Sequence, residues 1–184
     1  MKYQLGLFVG RFQPFHRGHE SIIRNMLEDC DKIIIAIGSA QESGTELNPF
    51  RYEYRRLMIQ KVFPECFDRI IIVGIKDREN PSDDESWGEY LLNTIYQNLN
   101  IRPDVVYQGA EVKHTHWFDS FDLSIVNIDR ELLKVSATEI REAIITNNFD
   151  YYKNFMPDAL HSEFENLKEI LKYVESNKWL YQLD

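Results

Sequence analysis

Two kinds of apolar run alternate along this chain. Leu5 to Val9, Lys32 to Ile37, Arg69 to Ile75, Val105 to Tyr107 and Ser124 to Ile128 are short and nearly continuous, with many β-branched residues. Such runs predict strands, and the continuous ones belong in the middle of a parallel sheet, buried on both faces. Between them apolar residues recur every three or four positions: Ile22, Ile23, Met26, Leu27 and Cys30 within 19–31, Tyr54, Leu57 and Met58 within 51–63, and Trp87, Leu91, Leu92 and Ile95 within 87–98. That spacing predicts amphipathic helices, the second ended by Pro64. Ser136-Ala137-Thr138-Glu139 has the Ser-x-x-Glu form of a capping box and predicts a helix from there to about Thr146. Pro157 opens a last helix, expected over Asp158 to Glu175. Strands alternating with helices give an α/β class: a doubly wound parallel sheet of about five strands, helices on both faces and a C-terminal helical extension. One domain is expected over 1–184, with the core reaching about residue 147 and the extension over 148–184.

The stretch Gly10-Arg11-Phe12-Gln13-Pro14-Phe15-His16-Arg17-Gly18-His19 joins the first strand to the first helix. A helix N-terminus offers free N–H groups and the positive end of a dipole, so phosphate is favoured there. The stretch is neither a Walker loop nor a Gly-x-Gly-x-x-Gly fingerprint. It carries two histidines three apart, His16 and His19, which share a face on an opening helical turn. Gly18 between them leaves room for a base or phosphate to approach the backbone, Pro14 stiffens the entry, and Arg11 adds a permanent charge. A metal at the histidine pair would need further ligands, which the neighbourhood lacks. His114-Thr115-His116 also alternates two histidines, but its polar setting reads as a solvated loop.

Composition narrows the classes. Hydrophobic residues at 43% and charged residues at 28% fit a globular chain, and a formal net charge of −9 argues against non-specific nucleic-acid binding. A small anionic substrate stays open, because a few placed cations act locally. Cys30 and Cys66 form no Cys-x-x-Cys pair and read as buried thiols in a reducing compartment. No apolar run is long enough for a bilayer, so a cytoplasmic location with no membrane partner is the expectation.

The ten residues from Gly10 to His19 resemble the signature of the His-x-Gly-His nucleotidyltransferases, specifically the archaeal-type nicotinamide mononucleotide (NMN) adenylyltransferases. The similarity continues at Ile37-Gly38-Ser39-Ala40-Gln41, Asn48-Pro49-Phe50, Arg55, Trp87, Val106-Tyr107-x-Gly109 and Ser136-x-Thr138-Glu139-Ile140-Arg141. It implies a Rossmann-like fold and a reaction of ATP with NMN, with Mg2+, to give NAD and pyrophosphate. It also implies the roles. His16, His19, Arg11 and Arg141 would act on the reacting phosphates. Gly10, Phe12, Gln13, Pro14, Gly18, Gly109, Ser136 and Thr138 would bind ATP. Ser39, Asn48, Pro49, Phe50, Asp77 and Trp87 would bind NMN, Trp87 by stacking on the cationic ring; a core aromatic on the helix stripe is the lesser reading of Trp87, and a solvated helix face the plain reading of Arg51 and Arg55. The chain departs from such relatives at Leu47, where some carry Arg, and at Ala110, where most carry Asn. The same loop would serve other phosphate acceptors (pantetheine phosphate, glycerol phosphate or flavin mononucleotide) or a regulator that binds ATP or NAD without turnover. The resemblance further suggests a homo-oligomer, such as a hexamer; the C-terminal Trp179 and Tyr181 are a candidate contact or dock on the chain's own core.

Overall fold

Neighbouring residues of the first strand face opposite ways: Leu7 belongs to one apolar cluster and Phe8 to another. The same alternation runs through the second strand, with Ile33, Ile35 and Ile37 on Phe8's side and Ile34 and Ala36 on Leu7's. Both faces of the sheet are therefore covered, as an uninterrupted apolar strand requires. The computed structural model describes residues 1–78, 84–109, 117–128 and 135–177, with the side chains of the third helix from Trp87 onward.

β1 (Tyr3–Gly10) is central, flanked by β2 (Cys30–Ile37) and β4 (Val105–Gly109), with β3 (Ile70–Gly74) and β5 (Ser124–Ile128) outermost. All pairings are parallel, in the order β3-β2-β1-β4-β5. The chain winds outward from β1 to β3, then returns to β4 on the other side of β1. This reversal opens a crevice at the carboxyl ends of β1 and β4, the place where open α/β sheets bind ligands.

The helices are α1 (Arg17–Asp29), α2 (Tyr52–Val62), α3 (Asp84–Leu99), α4 (Ala137–Ile145), α5 (Phe149–Phe155) and α6 (Phe164–Ser176). α3 covers the Leu7 face, with Leu91 and Ile95 against Ile34 and Val106. The other helices cover the Phe8 face. Tyr152, Met156, Leu160, Phe164, Leu167 and Leu171 share a core with Phe8 and Ile22, so the C-terminal helices pack on the same core as α1.

The structure differs from the sequence pattern in four places. The buried face of α2 is Arg55, Met58, Ile59 and Val62, while Leu57 is 42% exposed. The helix is therefore turned to put Arg55 inside, where a solvated face was expected. α5 was not expected, and the last helix begins at Phe164 after a 3-10 turn over Asp158–Glu163. That turn superposes positions three apart, which lets Leu160 and Glu163 both point inward. Cys66 is only half-buried, in a 3-10 turn after α2, whereas Cys30 is fully buried.

One polar knot joins α2 to the C-terminal helices. The buried Glu163 carboxylate accepts hydrogen bonds from Tyr54 Oη (2.6 Å) and Asn166 Nδ2 (3.0 Å) and pairs with Lys61. Burial alone would raise its pKa, but the bonds from Lys61, Tyr54 and Asn166 outweigh it and hold the group at about 2. Ala110, His114, His116, Trp179 and Tyr181, and residues 79–83, lie outside the described residues. Among the described residues no helix is long and apolar enough to cross a membrane.

Candidate active site

Gly10 closes β1, and the next residue but one, Phe12, takes a positive φ of 54°. Its ring folds back over Gly10: a Cβ there would lie 2.9 Å from the Phe12 ring, so only glycine fits. The buried Phe12 ring in turn meets His19 edge-on, with 4.7 Å between centroids, and stacks on Phe15. Phe8, Phe12 and Phe15 thus wall His19 on its apolar side.

His16 is the N-cap of α1 and stacks on His19 with centroids 3.7 Å apart and planes 22° from parallel. Both rings are buried, at 3% and 8% exposure. His19 Nδ1 accepts the His16 backbone N–H at 3.3 Å, which leaves Nε2 as the nitrogen that carries the proton in the neutral ring. A Cβ on Gly18 would come within 3.0–3.1 Å of the His16 ring and 3.3 Å of Val135. The glycine makes room for the histidine itself, where the sequence suggested room for a ligand.

Gln13 ties this loop to the Asn48-Pro49-Phe50 turn. Its side-chain amide pairs with the Phe50 main chain as a strand would: Nε2 donates to Phe50 O (3.0 Å) and Oε1 accepts from Phe50 N–H (2.9 Å). Pro14 is buried beside it, after a cis peptide. Arg141, from α4, donates to the Gln13 carbonyl at 2.6 Å and to Thr138 Oγ1 at 3.2 Å. Burial, then the neighbouring charge of Arg11, lowers its pKa against the pull of Glu46. The capping box forms as the sequence predicted: Ser136 Oγ accepts the Glu139 N–H, and Glu139 Oε2 accepts from the Ser136 N–H and Oγ. These bonds hold Glu139 below the usual carboxylate range.

On the β2–β3 side, Ser39 has a positive φ of 47° and its hydroxyl donates to Asp77 Oδ1 at 3.0 Å. Gln41 Nε2 donates to Asp77 Oδ2 at 3.0 Å, and Gln41 Oε1 accepts the Asp77 N–H. Asn48 is buried and its Oδ1 has no hydrogen-bond partner among the described residues. Beneath these loops lies Arg55, wholly buried, whose guanidinium donates to the carbonyls of Arg11, Gly38 and Ser39.

Hydrogen bonds, main-chain continuity and ring contacts thus bring together Gly10, Arg11, Phe12, Gln13, His16, Gly18, His19, Phe50, Thr138 and Arg141, and, beside them, Ser39 and Asp77. Gly109 closes β4 at the same sheet edge as Gly10. Trp87 is not drawn into this network: its ring packs on Trp117 with centroids 4.1 Å apart, against the α3 core. Tyr90, one turn later on the same face, donates to the Lys76 carbonyl and so docks α3 beside the Asp77 loop. Arg55 is the residue whose role the sequence reading missed. Its signal was present: 55, 58, 59 and 62 form one helical stripe.

Such an arrangement suits displacement at phosphorus. It offers the N-terminus of α1, two imidazoles and two half-open guanidiniums at one sheet edge, and such chemistry asks mainly for positioning and charge neutralisation.

Comparison with known proteins identifies the family of the chain. The cytidylyltransferase-like family profile matches residues 7–175. A nicotinamide-nucleotide adenylyltransferase of Archaeoglobus fulgidus is 52% identical over 137 residues, 69% of this chain and 79% of its own length. One from Methanococcus aeolicus is 34% identical over 155 residues, 84% of each chain. Among solved structures, a bifunctional NMN adenylyltransferase/ADP ribose pyrophosphatase of Francisella tularensis, complexed with AMP and a manganese ion, superposes with a TM-score of 0.74 at 22% identity. That match covers 98% of this chain but only 54% of the bifunctional one, so this chain spans about half of it. The chain belongs to the cytidylyltransferase-like family and, within it, to the nicotinamide-nucleotide adenylyltransferases.

Proposed function

We propose that the chain transfers the adenylyl group of ATP to NMN, giving NAD and pyrophosphate. The observation that carries the reading is the stacked His16–His19 pair at the start of α1, with Arg11 in the same loop and Arg141 bonded to that loop's main chain. In the reaction a 5′-phosphate oxygen of NMN bonds to the α-phosphorus of ATP. The bond from that phosphorus to the bridging oxygen breaks, and pyrophosphate leaves with the electron pair. The nucleophile is already ionised, so no general base is required.

The residues divide the work. His16 and His19 hydrogen-bond the α-phosphate oxygens as charge builds on them, and Arg11 neutralises phosphate between the two substrates. Arg141 and Thr138 hold the β- and γ-phosphates at the start of α4, with Ser136 keeping that helix end in place. Gly10, Phe12, Gln13, Pro14, Gly18 and Gly109 line the ATP side. Ser39, Asn48, Pro49, Phe50, Asp77 and Trp87 make the NMN side, where the unpartnered Asn48 Oδ1 suits the carboxamide N–H. Among the described residues no three His, Cys, Asp or Glu side chains gather to hold an ion. Magnesium enters with the triphosphate, which supplies much of its oxygen coordination.

Incubating the protein with ATP, magnesium and one acceptor at a time tests this: NMN, nicotinate mononucleotide, pantetheine phosphate, glycerol phosphate and flavin mononucleotide. NAD and pyrophosphate in equal amounts from NMN are expected; no NAD from NMN refutes the reading. Nucleotide binding by calorimetry without pyrophosphate release would identify a regulator instead. A cytoplasmic homo-oligomer, such as a hexamer, is the accompanying assembly, and sedimentation measures it.

A further inference from the structure

Arg55 is an unusual residue to find in a core. It is 0% exposed, yet among the described residues no carboxylate forms an ion pair with it. Asp77 acts on it only through space, its two oxygens already taken by Ser39 and Gln41. The Arg55 Nε is buried without an acceptor. Burial, set against the charge of Asp77, lowers its pKa to about 10, so the group stays cationic at neutral pH. A lone buried cation with an unsatisfied N–H is a poor way to stabilise a fold.

Three of its five N–H groups are spent on main chain. Nη1 donates to Arg11 O at 2.9 Å and to Gly38 O at 2.7 Å; Nη2 donates to Ser39 O at 3.0 Å. Arg11 follows β1, Gly38 and Ser39 follow β2, and Ser39 Oγ in turn holds Asp77 after β3. One planar fork therefore sets the exits of adjacent strands. It also draws three carbonyl dipoles towards itself, so their negative ends are held against a cation and away from any phosphate in the crevice. Arg55 feels the charge of Arg11, as Arg141 does.

We propose that Arg55 is a positioning residue for the adenylyl transfer: by gripping the carbonyls of Arg11, Gly38 and Ser39 it aims the Arg11 side chain at the phosphates. It rests on the reading of Arg11 as a phosphate contact and touches no substrate itself. Lysine cannot replace it fully, because a point charge cannot span the three carbonyls as the fork does.

The test is a double-mutant cycle of Arg55→Lys and Arg55→Met against Arg11→Ala. NAD formation is measured at a temperature where circular dichroism finds each variant folded. Arg55→Met is expected to lose about 100-fold in kcat, the scale of a misplaced charge, and Arg55→Lys about tenfold, with KM for NMN within about threefold of the parent. In the Arg11→Ala background the same Arg55 substitutions should cost less than about threefold, because the group they aim is gone. Losses that multiply independently, or a kcat per folded molecule unchanged beside a lowered Tm, overturn the proposal. Should Arg55→Met fail to fold, the Arg55→Lys arm completes the cycle alone. Should the parent make no NAD, the proposed reaction fails, and the cycle is read on the Kd for ATP by calorimetry: non-additive losses sustain the positioning role and additive ones refute it.

Discussion

Glu163→Gln isolates the knot between α2 and the C-terminal helices. The substitution keeps the shape, exchanges one acceptor oxygen for an NH2 group and removes the charge that Lys61, Tyr54 and Asn166 hold in place. The carboxylate side chain is 6% exposed, so solvent screens these interactions little. Its pKa of about 2 in the fold, against an ordinary 4.5, corresponds to about 3 kcal/mol of stability. The folded-state value is the lower one, so protons bind the unfolded chain more readily. The contribution is complete above about pH 4.5 and disappears as pH falls towards 2. Urea unfolding of parent and variant at pH 7, 4 and 3 reads the difference, and every other titrating group is common to both. The gap should be about 3 kcal/mol at pH 7, or about 6–12 °C in Tm, and less than about half that at pH 3. A gap that stays constant from pH 7 to pH 3 would refute the account, because Glu163 would then contribute through shape and neutral hydrogen bonds alone.

Three further outcomes follow from close contacts. Gly18→Ala puts a methyl 3.0 Å from the His16 ring; kcat should fall about tenfold or more with Tm little changed, measured by steady-state kinetics and calorimetry. Gln13→Ala leaves the buried Phe50 N–H and C=O without their partner and should cost about 2 kcal/mol in urea unfolding, with a raised KM for NMN. Gly88→Ala aims a Cβ at 1.9 Å from the Trp117 carbonyl, a main-chain clash that no side-chain rotation relieves; about 3 kcal/mol or more of destabilisation is expected.

Much of this was legible in the residues, and unevenly so. β5 and the Ser136–Glu139 cap fall where the sequence puts them, because a short β-branched run and a capping box are local signals that tertiary packing did not override. α5 escaped notice: it is one short helix of aromatic residues, Phe149 to Phe155, between Asn148 and Pro157, with too few turns to display a period. The turn after Pro157 follows the need to bury Leu160 and Glu163 together, a tertiary demand invisible to propensity. The histidines and arginines of the site were identifiable by type and spacing. What each one touches was not. Gly18 serves a neighbouring ring, Trp87 lies on Trp117, and Arg55 is inside, because a charged residue on an apolar stripe reads as surface until its acceptors are seen.

The bonds that close the site each span a long loop of chain: 37 residues from Gln13 to Phe50, 44 from Arg11 to Arg55 and 128 from Gln13 to Arg141. During synthesis the first loop leaves the ribosome 128 residues ahead of the arginine that bonds to it. Contacts so distant in sequence are closed late and slowly, since loop entropy must be overcome before they return any energy. A nascent or truncated chain lacking α4 would therefore present the histidines without the arginine that completes the proposed triphosphate clamp, and nucleotide would protect only the finished protein from unfolding.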